Sequence, residues 1–596
     1  MSAPVLDLEA ELIADAELQQ NETRDAIGFG GGMKLDSQVK RLSKETQSRL
    51  KKVVAMTKRA MKASEEGDHA QGARLAHKAL ELAPDVALTN HVMGLMLFRL
   101  GRLSKSLPFF ERAWQLDPQD PEIYQKLGLV AWKLDMLDGA EKFYRIQNQL
   151  APDRVDGIIN LSGVLRDQGK FEEAIELLRI AIYAHQGDFE LWNSLGTVMM
   201  DSGDPEQAKT FYEEALRLKP EFSRAHNNMG SVYELLGEPE KALPHYEEAL
   251  KAPVDETDRA TMEHGKGLLL LAAGRVKEGW DQNEARLNPH RPDATLFTLE
   301  KPYWDGTDLA EIKDKNLLFI GEQGLGDEVL FMSIVPDLID AVGTGTLTIA
   351  CEYRLMDLVK RSFPEAEVCH HMSAALEGRD VRVAPAGEKN ADIWTPMATP
   401  LRSLRQSLDD YPQDRVGFLK PDPLRQEVFR QQLAGFGEGL KVGILWKSLR
   451  MTPRRHRFFS AFDAWKPVLD LPGAQFINLQ YGDVDEELAQ AKDEFGITIH
   501  QPRDIDLKMD LDGVAALSSA CDLILGPMNA TTNLAAASGA EVWFIHARRT
   551  TWTLMGANRS YWYPQTRSFY GDKFQDWDTT MRRVTDALRT RIAETG

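Results

Sequence analysis

The sequence predicts an α-helical solenoid followed by an α/β half made of two doubly wound parallel-sheet units. Three observations lead there. Prolines that end helical segments stand at Pro84, Pro118, Pro152 and Pro220, with spacings of 34, 34 and 68. That period is gone beyond Leu287. After it, short β-rich runs alternate with helical patterns, the order expected of parallel sheets. A chain of 596 residues has room for about four domain-sized units.

Composition narrows the function classes. With 43% hydrophobic and 27% charged residues, the chain reads as globular and soluble. Lys and Arg number 71 against 91 Asp and Glu, a formal net charge of −20. An acidic surface repels phosphate backbones and anionic lipid, so neither nucleic-acid binding nor membrane insertion is expected. Cys351, Cys369 and Cys521 form no CxxC pair, which excludes a disulfide framework and a structural zinc of that type. The first ten residues lack a basic start and apolar core, and no run of about 18 apolar residues occurs. The expected location is the cytoplasm.

Several other positions hold the same phase in the first half. Gly94, Gly128, Gly196 and Gly230 keep it, with Ser162 in the missing step, as do Ala140, Ala174, Ala208 and Ala242 and also Tyr144, Tyr212 and Tyr246. A small residue lets two helices cross closely, and an aromatic fills the space beside the crossing. The pattern resembles the tetratricopeptide repeat, with six units from about Val53 to Glu256 and a degenerate seventh at Gly267 to Leu287, so the array is placed at 51–288. The resemblance implies stacked helix pairs whose first helices line a concave face that binds a protein or peptide.

Two positions of that face read Leu95, Leu129, Gly163, Thr197, Ser231 and Phe98, Trp132, Arg166, Met200, Glu234. The groove thus starts apolar and becomes polar. A third position reads Val92, Lys126, Asn160, Ser194, Asn228, and an amide there donates to and accepts from a peptide backbone. Similar asparagine ladders hold the acceptor polypeptide in repeat-fused O-GlcNAc transferases. Candidate acceptor contacts are therefore Leu95, Phe98, Leu129, Trp132, Asn160 and Asn228; for Leu95, Leu129 and Phe98, packing between helices is the competing reading. Residues 1–50 read as a flexible leader, since Gly28-Phe-Gly-Gly-Gly32 breaks any regular element.

Residues 289–313, with His290-Arg-Pro-Asp and Lys301-Pro-Tyr-Trp-Asp-Gly306, read as a linker. A first α/β unit, 314–420, opens with the apolar strand Asn316–Ile320, the turn Gly321-Glu-Gln-Gly-Leu-Gly-Asp-Glu328 and a helical pattern from Val329. Glycines let such a turn approach a ligand, and the helix start favours an anion. A second unit, 421–596, carries strand-like runs at Lys441–Trp446, Gln475–Leu479, Ile497–Ile499, Cys521–Leu525 and Glu541–Ile545. A cleft between two such units is a common ligand site.

The run Glu322–Glu328 preceded by Trp304-Asp-Gly, then Val442–Lys447, Asn478-Leu-Gln480, Leu534–Gly539 and Tyr561-Trp-Tyr-Pro564, resembles the GT-B domain of bacterial repeat-linked glycosyltransferases, similar to heptosyltransferases and O-GlcNAc transferases. Over Val53 to Ala587 the chain most resembles flagellin-modifying glycosyltransferases of alphaproteobacteria. The resemblance implies inverting, metal-independent transfer of a nonulosonic acid of the pseudaminic type from a CMP-activated co-substrate to Ser or Thr of flagellin, with the array holding the flagellin and no further cofactor. One departure matters: relatives carry Asp-Thr-x-x-x-His where this chain has Met528-Asn-Ala-Thr-Thr-Asn533. A different donor and an inactive domain both fit that change, so a non-catalytic adaptor or chaperone with a vestigial fold stands as the alternative.

Inverting transfer needs a base for the acceptor proton and donors for the departing phosphate. Asp327 is the candidate base, at the position where the related domains place an aspartate, with Glu322 and Glu328 in reserve; the competing role for Asp327 is a helix N-cap. Candidate donor-binding residues are Gly324 and Gly326 in the turn, Lys447 and Gln480 at strand ends, and Asn529, Thr531, Thr532 and Asn533 at a helix start. Arg454 joins them from the basic run Arg450, Arg454, Arg455, His456, Arg457, since guanidinium forks suit carboxylate and phosphate alike. His370-His371 has no third ligand nearby, so no metal site is expected.

Overall fold

A computed structural model describes residues 44–376, 379–448 and 451–595. The chain divides into two compact units, the first ending at Val198 and the second beginning at Met199.

In the first unit the helices pair in chain order: Lys44–Glu65 with His69–Leu82, Ala87–Arg99 with Leu103–Leu116, Pro121–Lys133 with Leu137–Leu150, and Val155–Asp167 with Phe171–Ala184. The periodic small residues do what their spacing implies. A Cβ at Gly94 would meet the Phe110 ring at 3.0 Å, and one at Gly128 the Tyr144 ring at 2.8 Å. Ala140 and Ala174 are fully buried at the same crossings. The turns within the pairs show a further element of the period. Gly67, Gly101, Gly169, Gly203 and Gly237 all have positive φ, and Asp135 takes the same conformation at the one step without glycine. The described residues start within a helix, Lys44–Glu65, so residues 44–50 belong to the array and not to a leader; the remainder of the expected leader lies outside the described residues.

The second unit contains the last repeat helices, Pro205–Leu218, Ser223–Leu235, Pro239–Lys251, Glu256–Ala272 and Val276–Asn283, together with all the strands. Residues 289–313 are built into the fold and do not behave as a linker. Leu296–Phe297 (β1) pairs with Arg379–Val383 (β6), which pairs with Met372–Leu376 (β5), and Trp304 and Ile312 are fully buried. A four-stranded sheet has the order β4-β3-β2-β7, built from Glu367–His370 (β4), Leu347–Cys351 (β3), Leu317–Ile320 (β2) and Ile393–Pro396 (β7). A six-stranded sheet has the order β10-β9-β8-β11-β12-β13, from Ile499–His500 (β10), Ala474–Asn478 (β9), Leu440–Ile444 (β8), Leu523–Gly526 (β11), Val542–Ile545 (β12) and Arg567–Phe569 (β13). Every pairing in both larger sheets is parallel. Strands β2, β3, β11 and β12 are buried along their whole length, which is why they read as unbroken apolar runs.

One hydrophobic core joins the last repeat helix to both sheets. Trp280 stands edge-on to Phe331, Trp552 and Trp562, and its indole N–H donates to the Tyr411 hydroxyl at 3.2 Å. No helix among the described residues is long and apolar enough to cross a membrane.

Candidate active site

Residues beyond the carboxyl ends of β2, β3, β8, β9, β11 and β12 converge on a cleft of about 610 Å³. Such strand ends are where open parallel sheets bind ligands. The two helices that start at the cleft touch each other. Asn533, in the helix Ala530–Ala537, donates from Nδ2 to the Gly326 carbonyl at 3.1 Å. Gly326 sits in the helix Leu325–Phe331, and a Cβ there would lie 3.2 Å from the Ala530 nitrogen.

Asp327 faces this cleft. The N-cap of its helix is Gly324, so Asp327 is a first-turn residue and not the cap. Burial pushes its carboxyl up to about 6, helped by Glu322 and Glu328 and opposed by the Gly324 N–H and Arg455. A carboxylate that titrates there is suited to taking a proton near neutral pH.

The two reserve carboxylates are committed elsewhere. Glu322 is 1% exposed; it pairs with Arg286 at 2.7 Å and accepts the Ala398 N–H. Glu328 is 2% exposed; it pairs with His371 at 2.8 Å and Arg382 at 3.1 Å and accepts the Glu352 N–H at 2.9 Å. Neither lines the cleft. Buried charges of this kind require such partners, so their role is to hold the turn and, through their charge, to raise the Asp327 carboxyl.

Gly324 and Gly326 line the cleft beside Asp327, and Asn529, Thr531 and Asn533 line it from the second helix, as the sequence suggests. The helix start is self-capped, however. The Asn529 carboxamide accepts from the Thr531 and Thr532 N–H groups at 2.9 and 3.2 Å, and the Thr532 hydroxyl accepts the Asn529 N–H at 2.9 Å. Thr532 is fully buried and also donates to the Pro527 carbonyl at 2.8 Å. Two of the first N–H groups are thus occupied, which lowers the capacity of this helix start for phosphate. Asn529 Nδ2 and Asn533 Oδ1 remain buried with no protein partner, a donor and an acceptor left for a ligand.

Lys447 and Gln480 are not brought to the cleft. Lys447 pairs with Glu487. Gln480 accepts the Trp446 and Lys447 N–H groups at 3.1 and 2.9 Å, closing the end of β8. Arg450 and the Arg454 side chain lie outside the described residues. Within the same basic run Arg455 lines the cleft, while Arg457 pairs with Asp201 at 3.1 Å.

Arg354, Tyr481, Lys508, Arg548 and Trp552 also line the cleft and were not singled out from sequence. Arg354, Tyr481 and Arg548 follow β3, β9 and β12, so a systematic reading of strand ends would have found them; Lys508 carries no such signal. Arg354 pairs with Glu352 at 2.9 Å and Arg548 with Glu234 at 2.8 Å. Among the described residues Arg455 and Lys508 have no carboxylate partner. Burial, with Arg548, pushes the lining His546 down to about 4, so it is neutral. Four cations therefore face one carboxylate, Asp327, in a chain of net charge −20.

The expected acceptor contacts behave unequally. Leu95 is buried in the first-unit core, and Phe98 packs against that core, which favours the packing reading for both. Leu129 and Asn160 are half-buried in the first unit and Asn228 in the second. Trp132 is half-buried; its indole donates to Asp167 at 2.8 Å, and a Cβ at Gly163 would fall 2.4 Å from its ring. It bridges successive repeats.

The tetratricopeptide repeat family matches residues 57–121 and 187–253. The human Cell division cycle protein 16 homolog is 26% identical over 163 residues, 26% of each chain. The crystal structure of a thermophilic TPR protein of Thermus thermophilus covers 30% of this chain and 98% of its own, at 26% identity and a TM-score of 0.27. Protein FlbA of Caulobacter vibrioides is 39% identical over 596 residues, covering 98% of both chains. An identity of that size sustained across repeats and sheets makes this chain a tetratricopeptide-repeat protein of the same family as Protein FlbA.

Proposed function

We propose that the protein is a protein O-glycosyltransferase of the GT-B type, acting in the cytoplasm. It transfers a nonulosonic acid of the pseudaminic type from a CMP-activated donor to Ser or Thr of flagellin, which the repeats hold. The observation that carries this reading is the cleft: Asp327, with its carboxyl at about 6, opposite the cations Arg455 and Lys508. A donor with a phosphodiester and a sugar carboxylate presents two anions to such a site.

In this reaction the Asp327 carboxylate takes the proton of the acceptor hydroxyl. The acceptor oxygen bonds to the anomeric carbon from the face opposite the phosphate, the bond from that carbon to the phosphate oxygen breaks, and CMP departs with the electron pair. Arg455 and Lys508 neutralise the phosphate, so no metal is required. Asn529 Nδ2 and Asn533 Oδ1 have hydroxyl or amide partners on the sugar.

The test is release of CMP from CMP-pseudaminic acid by the purified full chain, with and without flagellin. Flagellin-dependent release supports transfer. The adaptor reading draws on the self-capped helix at Asn529 and predicts neither binding nor release of CMP.

A further inference from the structure

Within the second unit, the last repeats and the cleft share a wall. Met200 and Glu234 occupy equivalent positions of successive repeats, 34 residues apart, and an arginine from the sheet half stands on each. Arg457 donates to the Met200 carbonyl and pairs with Asp201 at 3.1 Å. Arg548 pairs with Glu234 at 2.8 Å. Both pairs are largely withdrawn from water: Asp201 is 2% exposed and Glu234 16%.

Both guanidinium groups stand near Phe458, with Arg457 at 5.1 Å and Arg548 at 5.8 Å from its ring centre. Phe458 and Arg548 both line the cleft. The turn glycines of the same repeats reinforce the contact. A Cβ at Gly203 would meet Gln575 at 3.0 Å, one at Gly237 the Thr550 hydroxyl at 3.4 Å, and one at Gly274 the Met555 carbonyl at 3.1 Å. Gln575 in turn donates to the Arg457 carbonyl at 2.9 Å. The segment 546–556, of which His546, Ala547, Arg548 and Thr551 to Thr553 line the cleft, is therefore backed by repeat turns and tied by an ion pair.

We propose that Asp201 and Glu234 are positioning residues for the cleft. By holding Arg457 and Arg548 they fix the wall formed by Phe458 and the 546–556 segment. A change in the last repeats, such as capture of an acceptor chain, then reaches the ligand's anionic group through these two ion pairs. The clamp stands on the geometry; its effect on a nucleotide rests on the donor reading above.

The experiment compares the full chain with Glu234→Gln and Asp201→Asn by backbone hydrogen exchange and by CMP titration. Exchange in 546–556 and 457–460 is expected to rise about tenfold or more in each variant, as charged hydrogen bonds that restrain a loop are lost, while β8 and β11 keep their protection. CMP affinity is expected to fall about threefold or more as the wall loosens. Glu234→Asp, which retains the charge, is expected to keep most of the protection. Unchanged exchange in Glu234→Gln overturns the clamp, and lost protection with unchanged CMP affinity overturns its link to the ligand. Arg455→Ala separates the two ideas, since it is expected to lose CMP affinity with loop protection intact. If the unmodified chain binds no CMP, the donor reading falls and the exchange result still decides the clamp.

Discussion

The two helices that begin at the cleft, Leu325–Phe331 and Ala530–Ala537, meet at Gly326 and Asn533 yet start in opposite ways. The first carries acidic residues around a glycine turn; two of them are buried in ion pairs, and only Asp327 is presented to the cleft. The second closes its own start with Asn529 and Thr532 and keeps two buried side-chain amide atoms, Asn529 Nδ2 and Asn533 Oδ1, without a protein partner. The difference separates roles. Under the proposed reaction, chemistry and charge belong to the first helix and to the surrounding arginines, and the second supplies shape and uncharged hydrogen bonds.

The largest effect that would break this comparison is on folding. Glu328→Gln leaves Arg382 and His371 without their carboxylate, so stability is expected to fall by about 3–5 kcal/mol in chemical denaturation. A change within about 0.5 kcal/mol would mean that Glu328 is not a structural charge.

Asp327→Asn is expected to do the reverse, lowering the transfer rate about 100-fold or more in a well-folded protein. An acid whose folded-state carboxyl is raised to about 6 is costly when ionised. Its penalty is absent at low pH and grows as pH rises through that value. The asparagine variant should therefore gain stability at neutral pH, up to about 2–3 kcal/mol, measurable as a higher denaturant midpoint at pH 7.5 that converges with wild type near pH 4.

Under the proposed reaction the same residue sets the pH profile. Transfer is expected to drop about tenfold per pH unit below the Asp327 value of about 6 as the base becomes protonated. An acid limb near pH 4 in the transfer rate would assign the proton to another group.

The smallest expected effect sharpens the other side. Asn529→Ala should cost about 1 kcal/mol of stability, the usual loss of an N-cap, and change CMP affinity less than Arg455→Ala does. A larger loss of affinity at Asn529 would show that this helix start carries phosphate after all.

Much of the fold was legible because its signals are local and repeated. The glycines at 94, 128 and 230 sit against aromatics as their spacing implied, and the unbroken apolar runs at Leu317–Ile320 and Leu523–Gly526 are buried strands. Asp327, Gly324 and Gly326 were legible for the same reason, since one turn places all three. The rest depended on long-range partners that no local pattern specifies. Glu322 and Glu328 look like Asp327 in sequence, but Arg286, His371 and Arg382 claim them. Lys447 reads as a phosphate ligand from its strand end, but Glu487 pairs with it. Lys508 reaches the cleft with no strand end to announce it. The polarity of Glu234 has its physical reason in Arg548, a residue more than 300 positions away.

The most direct test is the intact mass of flagellin made in cells that produce CMP-pseudaminic acid, together with either the wild-type chain or its Asp327→Asn variant. The account predicts mass increments in multiples of one nonulosonic acid residue with wild type, and unmodified flagellin that still co-purifies with the Asp327→Asn protein. Flagellin of unchanged mass beside the wild-type chain, or full modification by well-folded Asp327→Asn, would contradict it.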